Sequence, residues 1–379
     1  MNDLYLIGNG FDLAHGLETS YNHFLLWYLK DSIMKCNTKG PFEDKLLTIN
    51  RDHYIWSNIE DYTSIKEMLG DKKRWEFSIK YRHDFFKKIV ENYRDYKLVD
   101  IEYEYYMKLV DLYKELDEIE NRSIYELGDK QEDKENKIKD LKELNNCFAY
   151  ISDRLEKYLD SVNENHFQKN GNIEEVMFEE FGIPETRERE YFEEVFDKDS
   201  QSFKDEKLFV CFNYTKTVEV YLRNSSYENN LIHIHGKLYN QSNPIIFGYG
   251  DEMDPQYEKI ENLNKNEFLK NIKSFNYFKT DNYQRVMRFV EGKDREFTIK
   301  ILGHSCGLSD RILLNTLFEH PNCQAIKIYY YQKSETENDH FEKTQEISRH
   351  FRASMKGKMR EKIVPFVKSI PLPQNPKKN

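Results

Sequence analysis

Short apolar runs that end abruptly in glycine or a small polar residue constrain the fold of this chain more than any other feature. They occupy residues 4–7, 208–212, 231–235, 245–247, 298–302 and 325–331. With helical stretches between them, such runs are typical of buried parallel strands in an α/β sheet. Ligands of these sheets bind beyond the carboxyl ends of the strands. We therefore predict an α/β protein with a parallel sheet and a functional site at that edge.

A long, charged segment separates the first two predicted strands. Apolar residues recur in it at three- and four-residue steps, which predicts amphipathic helices. The clearest stripe is formed by Leu141, Leu144, Phe148, Ile151, Leu155 and Leu159. We interpret residues 31–199 as a helical insertion, 1–30 with 200–340 as a discontinuous α/β domain, and 341–379 as a C-terminal helix with a flexible tail. The insertion can pack on its own domain, on a second subunit or on an activator, and the sequence does not choose among them.

Composition narrows the class of protein. The 379 residues carry a formal net charge of −10, which argues against a dedicated nucleic-acid binder. No apolar run is long enough to cross a bilayer, and the N-terminus lacks the basic region of a secretory signal. Five cysteines include no CxxC pair, which favours a reducing compartment and gives no support for a structural zinc module. We expect a cytoplasmic protein with no membrane partner.

The first predicted strand enters the turn Gly8-Asn9-Gly10, which leads into a helix containing Asp12. Glycine allows close backbone approach, and a helix N-terminus favours phosphate. The third glycine of a dinucleotide fingerprint is out of register, because the next glycine is Gly16. The turn therefore fits a phosphate site, and it equally fits a strand–turn–helix in which the glycines serve geometry alone.

Polar side chains follow the next two predicted strands. Asn213 can hold a water or a ribose hydroxyl, because a carboxamide both donates and accepts, or it can cap a helix. His233 and His235 alternate, so we expect both imidazoles on one face of a strand. His235, directly before Gly236, is placed to act as a general base, and a hydrogen-bonded core histidine is the other interpretation. A metal held by His233, His235 and Asp251 is a further alternative, although no carboxylate or cysteine cluster completes such a site.

A second glycine-containing turn, residues 303–310, follows a late predicted strand. Ser309 or Asp310 is expected to cap the next helix, and the turn is either a loop with its cap or part of a ligand site. The chain contains no GxSxG, P-loop or HExxH motif. Serine hydrolase, P-loop nucleotidase and zinc protease activities therefore lose their usual support.

The order of these motifs resembles the AbiH family of bacterial phage abortive-infection proteins. The motifs are a GNGFD turn, an FNYT strand end, an HIHG strand end and a GHSxGxSD turn. The opening stretch GNGFDLAHGLETSYNHF is the most specific, and residues 56–60, WSNIE, also look like a family element. The same order is distantly similar to the sirtuin-like NAD-binding fold, over about residues 1–30 and 205–335.

The sirtuin-like resemblance implies a Rossmann-like sheet that holds NAD across the ends of its strands. By position, it implies that the NAD phosphates are bound at Gly8, Asn9 and Gly10, with Asp12 following. It also implies that Gly303 and Ser305 contact the adenosine side. Asn213 matches the asparagine that orients a water or ribose. His235 matches the catalytic histidine, so His233 inherits no catalytic role.

The chain also departs from sirtuin deacylases. It has no four-cysteine zinc module, Tyr214-Thr215 follow Asn213 where deacylases carry an apolar residue and an acid, and Phe11-Asp12 replace an apolar residue and a serine. These departures argue against protein deacylation and leave NAD cleavage as the implied chemistry. Our hypothesis is an anti-phage effector that hydrolyses NAD to nicotinamide and ADP-ribose, with no metal and no cofactor beyond NAD as substrate. A homo-oligomer and an activating phage component or partner protein are expected.

Three alternatives come from other classes. The protein can bind NAD or another nucleotide as a sensor without cleaving it. It can be a metal-dependent nuclease or phosphohydrolase. It can also be an interaction module in which the stripe on residues 141–159 does the binding.

Overall fold

A computed structural model describes residues 2–50, 61–121, 130–163, 167–178, 206–292 and 295–375, so the WSNIE element at 56–60 lies outside the described residues. The chain divides into two compact units. The first, here the sheet unit, comprises Met1–Glu18, Asn163–Ile245 and Tyr277–Asn379. The second, here the helical unit, comprises Thr19–Val162 and Ile246–Asn276. Elements are numbered along the chain, and each unit is described by itself.

The sheet unit is built on a five-stranded parallel sheet. Its strands are β1 (Asn2–Ile7), β5 (Lys207–Cys211), β6 (Leu231–His233), β7 (Phe297–Leu302) and β8 (Cys323–Tyr329). Their order across the sheet is β6-β5-β1-β7-β8, and each neighbouring pair is parallel. Every residue of β5 and β7 is buried, as expected for strands covered on both faces. The predicted mixed α/β class with a parallel sheet is confirmed.

The register of the sheet lines up the ends of the four strands that carry the predicted motifs. Ile7 pairs with Cys211 on one side and with Leu302 on the other, and Cys211 pairs with His233. Because the strands are parallel, the residues that follow these four leave the sheet along one edge. Segments that are up to about 300 residues apart in sequence are thereby brought side by side.

Helices complete the sheet unit. They are α1 (Asn9–Ala14), α8 (Gly171–Phe178), α9 (Thr217–Leu222), α13 (Asn282–Val290), α14 (Arg311–Glu319), α15 (His340–Arg349) and α16 (Lys356–Lys362). Single 3₁₀ turns occupy Glu228–Asn230, Tyr277–Lys279, Leu308–Asp310, Ala353–Met355 and Phe366–Lys368. One apolar cluster joins β1 and β5 to α1, α8 and α9, with the rings of Tyr5 and Phe209 stacked at 4.6 Å. The predicted C-terminal tail is attached to this unit as far as it is described, since Leu372 is buried and its N–H donates to the Tyr330 carbonyl.

The helical unit contains long helices and a small sheet. The helices are α2 (Tyr21–Lys39), α3 (Tyr62–Gly70), α4 (Lys72–Ser78), α5 (Asp84–Tyr96), α6 (Ile101–Asn121), α7 (Lys130–Asn163), α10 (Pro255–Asn262), α11 (Asn266–Leu269) and α12 (Lys273–Asn276). The predicted stripe lies on α7, and all six of its side chains are buried. The antiparallel strands β2 (Phe42–Glu43), β3 (Leu47–Ile49) and β4 (Ile79–Tyr81) were not predicted. Among the described helices, none combines the length and the apolar character needed to cross a bilayer.

The predicted strand at residues 245–247 is wrong. These described residues form no strand, although Ile246 and Phe247 are buried. The ring of Phe247 stacks on that of Phe148 in α7, with centroids 4.5 Å apart. The apolar run therefore reflects packing against a helix rather than pairing in a sheet, and an apolar run of three residues cannot distinguish the two.

Candidate active site

The turns that follow β1 and β7 lock together at the carboxyl edge of the sheet. The chain leaves β1 toward β5 and leaves β7 toward β8, so these two turns flank the point where the strand order reverses, the usual ligand position in open α/β sheets. The Gly10 N–H donates to the Gly303 carbonyl at 2.7 Å. A Cβ at Gly8 would lie 2.4 Å from His304 Cα, and one at Gly303 would lie 2.2 Å from the backbone nitrogen of Phe11. The glycines therefore permit a direct approach of two backbones.

That approach uses backbone groups which a phosphate would otherwise bind. The Gly8 N–H donates to the Leu302 carbonyl at 3.1 Å, in addition to the Gly10 bond. Two of the three residues predicted to hold phosphates, Gly8 and Gly10, thus already use their amides within the protein. Ser305, on the other turn, is exposed. The assignment of Gly8, Asn9, Gly10, Asp12, Gly303 and Ser305 to cofactor binding stays a prediction.

Asn213 joins two strand ends. Its side-chain Nδ2 donates to the Gly8 carbonyl at 3.0 Å, and its own backbone carbonyl lies 3.2 Å from Nδ1 of His233. Asn213 is 8 % exposed, so it stands at the boundary between the core and the open edge. The structure thus places Asn213 between the glycine turn and β6.

Asp12 lies beneath this arrangement, in the core. The Thr215 hydroxyl donates to Asp12 Oδ2 at 2.7 Å, which fastens α1 to the segment after β5. Burial raises the pKa of Asp12 to about 6, although hydrogen bonds from Thr215, Thr217 and Asn213 and the charge of His233 act to lower it. Asp12 is 1 % exposed, and its hydrogen bond with Thr215 indicates a structural role.

His233 and His235 do not share one strand face, so that expectation is wrong. Strand β6 ends at His233, and a tight turn follows in which the Gly236 N–H donates to the His233 carbonyl at 3.1 Å. Gly236 adopts a φ of +85°, which an L side chain rarely tolerates. His235 therefore leaves the sheet, and strand alternation does not apply to it.

His233 belongs to an ion-pair cluster. Its Nε2 lies 3.1 Å from Glu219 Oε1, and the same oxygen accepts from Lys237 Nζ at 2.7 Å. The contacts with His233 and Lys237 lower the pKa of Glu219 to about 2, against the effect of partial burial. Nδ1 of His233 faces the Asn213 carbonyl, so both ring nitrogens of His233 face oxygen atoms within the protein.

His235 faces a different carboxylate. Its Nε2 lies 3.1 Å from Asp310 Oδ1, and Asp310 Oδ2 lies 3.6 Å from Nε2 of His304. All three side chains are buried, so one carboxylate stands between two imidazoles. Asp310 occupies the N-cap position of α14, but its side chain makes no capping hydrogen bond, so the expected cap role for Asp310 is wrong. The sequence motif GHSxGxSD contained both His304 and Asp310, yet nothing in it pointed to His235.

Aromatic rings surround His235. The ring of Phe212 lies 5.1 Å from that of His235 and 4.1 Å from that of His304, between centroids. The rings of Tyr214 and Tyr277 each lie 6.4 Å from His235. Ligand sites are lined mainly by apolar and aromatic side chains with a few placed polar groups. Phe212 and Tyr277 were not predicted from the sequence to be part of the site.

Cys306 and His350 stabilise the turn that contains His304. The Cys306 N–H donates to His304 Nδ1 at 2.9 Å, and Cys306 adopts a φ of +56°, which is uncommon outside glycine. Nε2 of His350 lies 2.7 Å from the Cys306 carbonyl. Burial lowers the pKa of His350 to about 4, so this imidazole is neutral at pH 7. Burial also raises the pKa of the Cys306 thiol to about 12, which keeps the sulfur protonated.

The two histidines of the metal alternative do not face a common carboxylate in the part of the chain that the structure describes. Nε2 of His233 lies beside Glu219, and Nε2 of His235 lies beside Asp310. Over the described ranges, no group of three or more His, Cys, Asp and Glu side chains is arranged to hold a metal ion.

Comparison with known proteins identifies one family. A family model described as "Bacteriophage abortive infection AbiH" matches residues 4–332, which include every site residue named above except His350. No curated protein and no solved structure gives a significant match. The family match covers most of the chain, and it agrees with the resemblance carried by the four strand-end motifs. The chain therefore belongs to the AbiH family of bacteriophage abortive-infection proteins.

Proposed function

We propose that this protein acts in phage defence by hydrolysing NAD to nicotinamide and ADP-ribose. Membership of the AbiH family supports the defence role. The observation that carries the activity is the position of Asn213 and His235. Both follow strands at the carboxyl edge of the parallel sheet, next to the glycine turns at Gly8 and Gly303. His235 also packs against the ring of Phe212.

In the proposed reaction, water replaces nicotinamide at the anomeric carbon of its ribose. The C–N glycosidic bond breaks, its electron pair leaves with nicotinamide, and the new C–O bond forms ADP-ribose. Asn213 positions the water, and His235 accepts the proton that the water or a ribose hydroxyl releases. Near-neutral histidine basicity suits this transfer, which contributes typically 10²- to 10⁴-fold to a rate. The step needs no oxidant, metal or second cofactor.

Binding of the rest of NAD supplies orientation. In this proposal the dinucleotide lies along the edge, with its phosphates at residues 8–10, near Asp12, and its adenosine side at Gly303 and Ser305. Because the amides of Gly8 and Gly10 donate to the neighbouring strand and turn, these glycines serve close approach rather than direct donation. Remote contacts of this kind convert binding into correct placement of the reacting carbon.

The proposal includes a sirtuin-like arrangement of the sheet, with residues 31–199 as the insertion. Unchecked loss of NAD would kill the host, so the resting protein is restrained. A homo-oligomer, a phage component or a partner protein releases it, and the helical segment is the place of that control.

The test is chromatography of NAD incubated with purified protein, with and without EDTA. Wild type is expected to yield nicotinamide and ADP-ribose in both conditions, whereas Asn213→Ala and His235→Ala yield neither. His233→Gln is the matched control, because it alters the neighbouring histidine that the mechanism does not use.

The same samples are then repeated with lysate of phage-infected cells that express the protein, since a restrained enzyme is silent alone. NAD that survives there while the cells die contradicts the hydrolase. NAD that binds in calorimetry but is not consumed would identify the sensor. Loss of activity in EDTA would identify a metal-dependent enzyme.

A further inference from the structure

We infer that Oδ1 of Asn213 is the atom that meets the ligand, and that it selects ligands which present a sugar hydroxyl at that point. The inference rests on the proposed function, because it names the part of NAD that Asn213 recognises, the ribose of the nicotinamide half. A hydroxyl can donate to an amide oxygen, whereas a phosphate oxygen or a carbonyl cannot. Asn213 is then a specificity-determining residue in addition to holding the water.

The Gly8 carbonyl fixes the orientation of the Asn213 amide. The side chain of Asn213 approaches that carbonyl at 3.0 Å. A carbonyl only accepts hydrogen bonds, so the atom beside it is the amide nitrogen and not the amide oxygen. The Gly8 carbonyl also accepts from the Phe11 N–H at 2.8 Å, which ties it to the first turn of α1. The acceptor that orients Asn213 is therefore itself held in place.

A second neighbour favours the same orientation. Asp12 is buried, and the side chain of Asn213 acts to lower the pKa of its carboxyl group. An amide N–H near a carboxyl group has that effect, because it stabilises the charged form. The polarity of both neighbours, Gly8 and Asp12, therefore directs the amide nitrogen of Asn213 into the protein.

The amide oxygen is the group that remains for a ligand. Over the described ranges, Oδ1 of Asn213 has no hydrogen-bond partner, and it is not one of the buried polar atoms that lack a partner, so it keeps contact with solvent. An amide oxygen has two lone pairs, so it can accept from the reacting water and from a ribose hydroxyl together. A site built to bond a hydroxyl discriminates against ligands without one.

The test is calorimetry on the full chain with ADP-ribose, which carries the terminal ribose, and with ADP, which lacks it. The ratio of the two dissociation constants within one variant cancels effects that both ligands share. We expect wild type to prefer ADP-ribose and Asn213→Ala to reduce that preference about 3- to 10-fold, the worth of one hydrogen bond. Asn213→Asp, which keeps an acceptor oxygen, is expected to retain it.

Asn230→Ala is the matched control. Nδ2 of Asn230 also donates to a strand carbonyl, that of Lys207, at 2.9 Å, but at the first residue of β5 rather than at its carboxyl end. The preference for ADP-ribose is expected to persist in this variant. Thermal unfolding checks that each variant is folded. An ADP-ribose analogue with hydrogens in place of the 2- and 3-hydroxyls of the terminal ribose repeats the test on wild type, where weaker binding of the analogue is expected.

The inference is overturned if wild type shows no preference for ADP-ribose, if it binds the analogue as tightly, or if the preference persists in folded Asn213→Ala. An equal loss in Asn213→Asp and Asn213→Ala also overturns it, since the amide nitrogen would then meet the ligand. The cleavage assay judges the hydrolase separately. NAD cleavage with a preference independent of Asn213 removes this inference alone. A preference that depends on Asn213, with no cleavage in lysate of infected cells, removes the hydrolase and keeps the ribose contact.

Discussion

Two histidine–carboxylate pairs lie near each other at the carboxyl edge of the sheet, and they differ in what surrounds them. His233 pairs with Glu219, and His235 pairs with Asp310, both at 3.1 Å. Glu219 shares its oxygen with Lys237 and keeps 25 % of its side chain exposed. Asp310 is 9 % exposed, and its second neighbour is the imidazole of His304 rather than a lysine.

This difference shows that the same combination of a histidine and a carboxylate can have different roles in different surroundings. The environment of Glu219 holds its negative charge and, with the Asn213 carbonyl, leaves His233 with two acceptors to satisfy. Both ring nitrogens of His233 face oxygen atoms of the protein, so we assign His233 a structural role. His235 faces Asp310 and lies among aromatic rings, an environment like that of a ligand site. His233, which belongs to an ion pair, and His235, the proposed base, are thus only two positions apart in the sequence.

The strongest way to break this comparison is to exchange the histidines for glutamine one at a time. We expect His235→Gln to reduce the rate of NAD cleavage on the order of 10²- to 10⁴-fold, since a general base is lost. His233→Gln is expected to change it less than about tenfold, since only an ion pair is lost. Product formation measured by chromatography decides. Equal losses in the two variants would contradict the division of roles.

A second prediction targets the turn that places His304. Gly303→Ala introduces a Cβ 2.2 Å from the Phe11 nitrogen at a φ of +70°. Overpacking and a left-handed alanine together are expected to lower the free energy of unfolding by about 4 kcal/mol. Gly307→Ala is the matched control, because its φ is −69° and its Cβ would meet only Ser305 Oγ at 3.6 Å. Chemical denaturation measures both, and a Gly303→Ala variant as stable as Gly307→Ala would refute the interlocked turns.

The third prediction concerns how the stability of the protein depends on pH through His350, which contacts the turn that contains His304. Burial lowers the pKa of His350 from 6.5 to about 4, so the unfolded chain binds a proton that the folded chain refuses. Stability from this group is present above pH 6.5 and is lost as the pH falls toward 4, by about 3 kcal/mol. His350→Gln is expected to remove that loss. Denaturation at pH 7 and at pH 4 measures it, and an unchanged difference between the two pH values would count against the assignment.

The fourth and smallest prediction concerns Asp12, whose pKa is affected by the charge of His233. Its contribution to stability changes with pH in the direction opposite to that of His350. Burial raises the pKa of Asp12 from 3.8 to about 6, so its contribution to stability is present below pH 4 and is lost as the pH rises through 6. Relative to wild type, Asp12→Asn is expected to be more favourable at pH 8 than at pH 4, on the order of 2 to 3 kcal/mol. Thr215→Val, which keeps the carboxyl group, is expected to retain the dependence. Parallel curves for wild type and Asp12→Asn would disprove it.

The sheet could be predicted from sequence because its strands are buried on both faces. Such strands read as unbroken apolar runs, and the glycine after Ile7 or Leu302 marks where each one ends. Phe247 misled the prediction because burial against α7 demands the same residue type as burial in a sheet. Strands β2 and β3, of two and three residues, are too short to show any alternation.

The site could be predicted only as far as single strand ends allow. Asn213 and His235 follow buried strands, and that position marks them. Asp310 could not be recognised, because an aspartate before a helix has the same local sequence whether it caps the helix or faces a histidine. The deciding contact joins Asp310 to His235, far away in the sequence, and only the register of the parallel strands creates it.

The order in which the chain is made has a consequence for a protein of this design. Strand β1 is synthesised well before its two neighbours in the sheet, because β5 and β7 begin some 200 and 290 residues later. Contacts of such long sequence separation form late, because loop closure must come first. A nascent chain that ends before β5 therefore contains the glycine turn but not the candidate site. His235 gains its carboxylate only after residue 310 has left the ribosome, so no fragment made by premature termination before that point contains the complete site.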